Sequence, residues 1–385
     1  FAADSAEYPA FEAIAQAYAK STGYTVDLVP VPWDDILPRG SAATKLSIAQ
    51  ASGQGPDVWG PVPHNWTSSF VANGQVLALD AAQIESANQY TPLAVDACRI
   101  GDTQYALPVL MDSVALLYNK SMVTDPPKTF DDLIKLAEEL GNPAEDRWGL
   151  VLPLLSQYHT YPFIDGYGGY IFRCQSSSQC DIHDIGLNSE GAVHGIQLLS
   201  RWYLDQKLFP ETLTDRPTMY SEAVRLFREG RAAMLIDGPW ITPELEDSGL
   251  EYGVASLPRL PDADEPPHPL VVVQVMSVSA QSAHTLEAID LVNYVASPES
   301  VIEMHQVWPK VPTRVDVMRT SPLREDRLLA AWQQQIAAGL PLPNVPELDY
   351  VWAPWGQALE KAILGFTPTQ EALDEAVEQI KSIME

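Results

Sequence analysis

The sequence predicts an α/β protein of more than one lobe, and three observations carry that reading. Strand-like segments alternate with helix-like ones along most of the chain, the order that builds largely parallel sheets flanked by helices. The 385 residues exceed what one ordinary core holds and suit about two or three domains. Hydrophobic residues make up 46% and charged residues 19%, the balance of a folded chain that buries a real core.

The elements follow in chain order. Phe11, Ile14, Ala15 and Tyr18 recur at helical spacing, and Gly23 is placed to cap the helix they form. Tyr24 to Val29 then alternates as a strand does. Pro56-Asp57-Val58-Trp59 reads as a strand entering a loop, with His64, Asn65 and Trp66 at its mouth. Val95 to Ile100 and Tyr105 to Val109, joined by Gly101-Asp102-Thr103, predict a hairpin. Ser113 to Tyr118 is a further strand. Thr129 caps a helix from Phe130, with Asp132 three residues on as a shortened capping-box acid, and Leu133, Ile134, Leu136, Ala137 and Leu140 give it an apolar face.

A second helical region runs from Asn188 to about Leu208. A third carries Ala223, Val224 and Phe227 and stops at Gly230. Ala232 to Ile236 is a strand closed by Gly238-Pro239-Trp240. Pro258 to Pro269 is a proline-rich surface loop. The strand Val271 to Val278 follows, then a helix from about Ala283 to Val295. From Pro322 to Glu385 the chain is helical, with loops around Pro341 and Pro354. There is no internal repeat. In folds of this class ligands bind at the carboxyl edges of the strands, and two facing lobes enclose a cleft between those edges.

Charge narrows the partners. Lys and Arg number 23 and Asp and Glu 51, a net charge of −28. Such a surface repels phosphate backbones and anionic lipid, so nucleic acid is a poor partner and neutral or cationic ligands remain. No apolar run approaches the roughly 18–20 residues of a membrane span. The chain opens at Phe1-Ala2-Ala3-Asp4 as though at the end of a first strand, and a leader, with or without a lipid-anchor cysteine, is expected upstream. Cys174 and Cys180 flank the polar turn Gln175 to Gln179 between segments that read as hairpin strands. A disulfide is easy there and would mark an oxidising compartment; two surface thiols are the alternative. Cys98 sits in an apolar segment and reads as a buried thiol.

Tyr105-Ala106-Leu107-Pro108, Leu117-Tyr118-Asn119-Lys120 and Pro126-Pro127-Lys128-Thr129-Phe130 occur in that order. Phe227-x-x-Gly230-x-x-Ala233-Met234, Gly238-Pro239-Trp240 and Tyr252-Gly253-Val254 follow. Each piece is weak alone. The ordered set resembles the extracellular solute-binding proteins of carbohydrate ABC importers, and within them the maltose/maltodextrin-binding branch, over nearly the whole chain. The resemblance implies a two-lobed periplasmic-binding-protein fold with three interlobe crossings and a central ligand cleft. Crossings are expected near Val109–Asp112, Pro269–Val273 and Val311–Arg314. The N-terminal lobe would hold 1–110 plus 271–312, and the C-terminal lobe 111–270 plus 313–385. Hinge closure on ligand is the motion expected.

A sugar offers an apolar C–H face and a rim of hydroxyls, which aromatic rings and carboxylates or amides respectively suit. Trp240 follows a strand and the pair Gly238-Pro239, and it matches a stacking tryptophan of the family. Trp352 matches a second, and Trp355, one helical turn on, extends that platform or packs beneath it. Asp112 falls at the first crossing, where the family carries an acidic ligand-binding residue; backbone amides at the hinge are its alternative partners. Tyr158 matches a stacking tyrosine, and Tyr161 is a possible assistant. Asn65-Trp66 stands where the family often has an aspartate–arginine pair. Ser5-Ala6, Ser156 and Gly356 likewise stand where charged residues are expected. Trp33, Asp34 and Asp35 form a loop within reach of a longer ligand. The stacking platform is thus kept while polar grips are changed, which implies an oligosaccharide site, α-glucoside-like or of altered specificity.

Catalysis is not expected. A glycosidase needs two carboxylates at about 5–10 Å, and Asp112, Asp34 and Asp35 lie in no such motif. There is no Gly-x-Ser-x-Gly elbow or Walker loop, and the histidines lack metal spacing. No cofactor or metal is implied. The partners implied are an oligosaccharide and the permease subunits of an ABC transporter in the membrane, the receptor itself being a monomer. A sensory receptor of the same fold, with a different small polar ligand, is the alternative use.

Overall fold

Two separate sheets organise the chain, and the connections that pass between them lie beside the candidate site. The structure, a computed structural model, describes residues 8–30 and 41–385, with the side chains of 41–44 and 47 left aside. Trp33, Asp34, Asp35 and the pair Ser5-Ala6 lie outside the described residues.

In chain order, β1 is Val58–Pro63, and β2 (Arg99–Ile100) and β3 (Thr103–Gln104) form a short hairpin. β4 (Leu107–Asp112), β5 (Ala115–Asn119) and β6 (Trp148–Val151) follow. A second hairpin pairs β7 (Phe172–Ser176) with β8 (Gln179–Ile185). β9 is Ala232–Asp237, β10 Tyr252–Ala255, β11 Leu270–Val278, β12 Val311–Pro312 and β13 Leu340–Pro341. The first sheet has the order β1-β11-β4-β12, with β13 at the start of β11; the second has the order β10-β5-β9-β6. Consecutive strands β4 and β5 lie in different sheets, as do β10 and β11.

The expectation of largely parallel sheets is corrected. β11 runs antiparallel to both β1 and β4, and β12 to β4; β5 runs antiparallel to both β9 and β10. Among the described residues, only β6–β9 and β11–β13 are parallel in these two sheets. The cause is topological. β11 enters the first sheet after the chain has been through the second, and it inserts between β1 and β4 against the direction of both.

Packing explains the elements. β4 and β9 are buried at every position, so each is covered on both faces. The helix Tyr8–Thr22 buries Phe11, Ile14 and Tyr18, and Gly23 ends it in the left-handed region at φ +80°. The Thr129 hydroxyl accepts from the Asp132 backbone N–H and caps Phe130–Leu140, a contact worth about 1 kcal/mol. Helix Gln157–Asp165 packs on helix Glu190–Leu204 at Gly195, where a Cβ would fall 1.8 Å from the Phe163 carbonyl oxygen. Cys174 and Cys180 are disulfide-bonded across β7 and β8. The tip of that hairpin is fastened outside its own sheet: Ser177 donates from its N–H to Asp96 Oδ2 at 2.8 Å, and the Gly101 N–H donates to Ser178 Oγ at 3.2 Å. Cys98 is fully buried, and burial pushes its thiol well above the usual range.

Three local expectations are corrected. Tyr24 to Val29 forms no strand with any of the described residues, and Tyr24 and Val29 are exposed. Val95 to Ala97 belongs to the helix Pro92–Ala97, so the expected long hairpin shrinks to β2 and β3. Pro92 at the helix start sets φ for the first turn and outweighs the β-branched Val95. Pro354 lies inside the helix Trp352–Ile363 rather than in a loop; its first-turn position needs no backbone N–H.

Candidate functional site

The site is built where the chain passes from one sheet to the other, at the end of β4 and the start of β11. Asp112 is the last residue of β4, and antiparallel pairing brings β11 beside it. Its carboxylate is 3% exposed as a residue and carries three neighbours. Lys310, just before β12, donates from Nζ to Oδ2 in a buried ion pair. Gln274 Nε2 of β11 donates to the same oxygen at 3.3 Å. The Tyr158 hydroxyl lies 3.4 Å from Oδ1 but only 2.9 Å from the Leu270 carbonyl, which takes its proton. Burial, with Asp112 adding to it, pushes the Tyr158 phenol well above its ordinary value, so it stays a donor. Gln274 Oε1 is buried with no hydrogen-bond partner among the described residues.

Aromatic rings stand over this floor. Trp240 follows β9 in the 3-10 turn Pro239–Ile241 and keeps partial exposure. Its ring centroid is 6.0 Å from Tyr158 and 6.2 Å from His159, which meets it edge-on at 84°. Lys310 Nζ lies 5.8 Å from the Trp240 ring and 4.2 Å from that of Trp308. His159 is itself held between Ser156 Oγ at 2.8 Å on Nδ1 and Asp237 Oδ1 at 3.2 Å on Nε2. Asp237, the last residue of β9, also accepts from the Gly238 N–H at 2.8 Å. The turn that aims Trp240 is therefore fastened to the helix that carries Tyr158.

The same helix reaches the second tryptophan. Gln157 Nε2 donates to the Trp352 carbonyl at 2.6 Å, at the start of helix Trp352–Ile363. Trp352 stacks on Trp355 at 5.7 Å and 25°. Trp355 is fully buried, with Tyr161 edge-on to it at 6.3 Å. Trp352 is itself buried, in the same core cluster as Trp355 and Tyr161.

Asn65 and Trp66 are buried in the turn after β1. Trp66 packs in a small apolar cluster with Phe70 and Val76, against Trp59 and Tyr105. Beside them His64 is wholly buried and ties three segments. The Val273 N–H donates to its Nδ1 at 3.1 Å, and its Nε2 meets the Leu342 carbonyl at 3.0 Å. Burial lowers its pKa to about 4, against the opposing pull of the Leu342 carbonyl, Asp96 and Asp112. The ring is thus neutral at pH 7, with its proton on Nε2.

Lys310, Gln274, His159 and Asp237 were not singled out from the sequence. Asp237 immediately precedes Gly238-Pro239-Trp240, a usable signal; Lys310 lies 198 residues from Asp112, and nothing local marks it. A surface hollow of about 350 Å³ lined by Asp165, Asp262, Asp264, Glu265 and His268 contains none of the expected residues. Among the described residues no group of three or more His, Cys, Asp or Glu is placed to hold a metal, and no helix is long and apolar enough to cross a membrane.

Comparison with known proteins bears on what this arrangement serves. Residues 2–302 match the family described as bacterial extracellular solute-binding protein, a family of binding proteins rather than enzymes. A maltooligosaccharide ABC transporter solute-binding lipoprotein of Streptococcus pneumoniae is 28% identical over 375 residues, covering 96% of this chain and 85% of that one. A galactooligosaccharide-binding protein of Bacillus subtilis is 27% identical over 338 residues, covering 87% and 79%. The crystal structure of a cyclo/maltodextrin-binding protein complexed with maltotetraose superposes with a TM-score of 0.86 at 26% identity, covering 100% of this chain and 95% of that chain. The fold is therefore the two-lobed α/β periplasmic-binding fold.

Proposed function

Because the chain belongs to the bacterial extracellular solute-binding protein family, we propose that it is the receptor component of an ABC sugar importer and binds a neutral oligosaccharide, without covalent chemistry, in the cleft between its lobes. The observation that carries this reading is the buried carboxylate and amide of Asp112 and Gln274 beside the rings of Tyr158 and Trp240. Such a set pairs hydrogen-bonding groups for hydroxyls with a face for C–H stacking.

The lobes divide as 1–110 plus 271–312 and 111–270 plus 313–385. In support, the chain changes sheet between Asp112 and Ala115 and again between β10 and β11. Ligand contacts are Trp240, Trp352, Tyr158 and Asp112; Asn65 and Trp66, buried in the turn after β1, are secondary candidates within the other lobe. Maltooligosaccharides are the first candidates, since relatives and a superposable structure carry them in their names. The galactooligosaccharide-binding relative is nearly as similar, so the class is oligosaccharide and the linkage is for experiment. The protein works outside the cytoplasm as a monomer and delivers its sugar to permease subunits.

Ligand that binds only the closed native state raises the melting temperature. A panel of maltotetraose, galactooligosaccharide, xylotetraose and simple amino acids, read by thermal shift in chelator, tests the proposal. A shift with one or more oligosaccharides supports it; shifts with amino acids alone remove it.

A further inference from the structure

The cation at the floor of the cleft goes beyond that reading, though it rests on it. We infer that Lys310 is a ligand-contacting, specificity-determining residue, which with Asp112 and Gln274 grips a pair of neighbouring hydroxyls on a neutral sugar ring lying against Trp240.

The argument is a count of donors and acceptors. The Lys310 ammonium has three N–H donors. Asp112 Oδ2 takes one of them and already accepts from Gln274 Nε2 as well. Asp112 Oδ1 has only the distant Tyr158 hydroxyl, whose proton goes to Leu270. Gln274 Oε1 is buried and has no partner among the described residues. Two donors on Lys310 thus stand beside two under-used acceptors. Buried polar groups are almost always satisfied, so a cluster with matched vacancies of both signs calls for something that donates and accepts at once. A hydroxyl does that, and a vicinal pair does it twice.

Position agrees. Nζ sits 5.8 Å from the centroid of the Trp240 ring, the proposed stacking face, and 4.2 Å from that of Trp308. Charge agrees too. Lys310 and Asp112 cancel, so a neutral guest leaves no uncompensated charge, whereas an anionic or cationic guest would. A purely structural ion pair is the alternative, pinning β4, β11 and the approach to β12 together.

Calorimetric titration of maltotetraose and of galactooligosaccharide into wild type, K310M and K310R decides. K310R keeps the ion pair while moving the donors, so its melting temperature without sugar stays near wild type. Both variants are expected to lose about tenfold to a hundredfold in affinity, the range for a hydrogen bond to a charged group. Removing a gripped hydroxyl from the sugar should weaken wild type and leave K310M indifferent, a coupling that a merely structural role would not produce. Should K310M fail to fold, K310R and the deoxy sugar carry the test. Wild-type binding with unchanged affinity in K310R and no coupling to any sugar hydroxyl overturns this inference alone. Absence of wild-type binding to any oligosaccharide overturns the functional reading and this inference with it.

Discussion

His64 makes a pH dependence calculable. It is wholly buried and accepts from Val273 N–H on one nitrogen while its other ring nitrogen donates to Leu342 O, so protonation would break the first bond and strand a charge. In the unfolded chain it titrates near 6.5, and in the native state near 4. Between those values the unfolded state binds more protons. The stability His64 contributes is therefore complete above about pH 6.5 and falls away as the pH drops towards 4. At about 1.4 kcal/mol per tenfold difference in proton affinity, the loss amounts to about 3 kcal/mol. The perturbation is His64→Gln, whose amide keeps one acceptor and one donor but does not titrate. Urea unfolding of both proteins at several values from pH 7.5 to 4 gives the two curves. The 51 acidic residues are common to both, so their effect cancels in the difference. Wild type should lose about 3 kcal/mol more than the variant across the window. Parallel curves would refute the assignment of His64 as a buried neutral pin.

Other expectations are simpler to check. The Cys174–Cys180 bridge closes a loop with a sequence separation of 6. Replacing both by Ser should cost about 2 kcal/mol in denaturant titration, with no cost meaning that the loop adds nothing to the unfolded chain's freedom. Gly195→Ala would drive a Cβ into the Phe163 carbonyl at the helix crossing. It should lower stability by about 1–3 kcal/mol, and a native melting temperature would show that the two helices separate freely. His159→Phe removes the link from the Asp237–Trp240 turn to the helix that carries Tyr158. It is expected to weaken oligosaccharide binding severalfold and to alter tryptophan emission, whereas an unchanged isotherm would confine the pair to a structural role.

How much was readable before the structure varied with the range of the interaction that decided it. The helix Tyr8–Thr22 was legible because its apolar spacing and Gly23 are local, and both are used as read. Trp240 was legible as a residue at a strand's carboxyl edge, since Gly238-Pro239 ends β9. The direction of β11 was not, because it depends on the chain returning from another sheet. Tyr24 to Val29 alternates like a strand yet pairs with no strand among the described residues, because alternation along the chain does not specify a partner. Lys310 meets Asp112 only through the pairing of β12 with β4, and no window along the sequence contains both.

The central claim is that Trp240 belongs to a wall of the cleft that receives a neutral sugar. Isothermal titration of maltotetraose, and of galactooligosaccharide, into wild type and Trp240→Ala tests it most directly. Saturable wild-type binding and a loss of about 1–3 kcal/mol in the variant are expected, the scale of a buried aromatic anchor. Tight binding of equal strength in both proteins would place the sugar elsewhere and contradict the account.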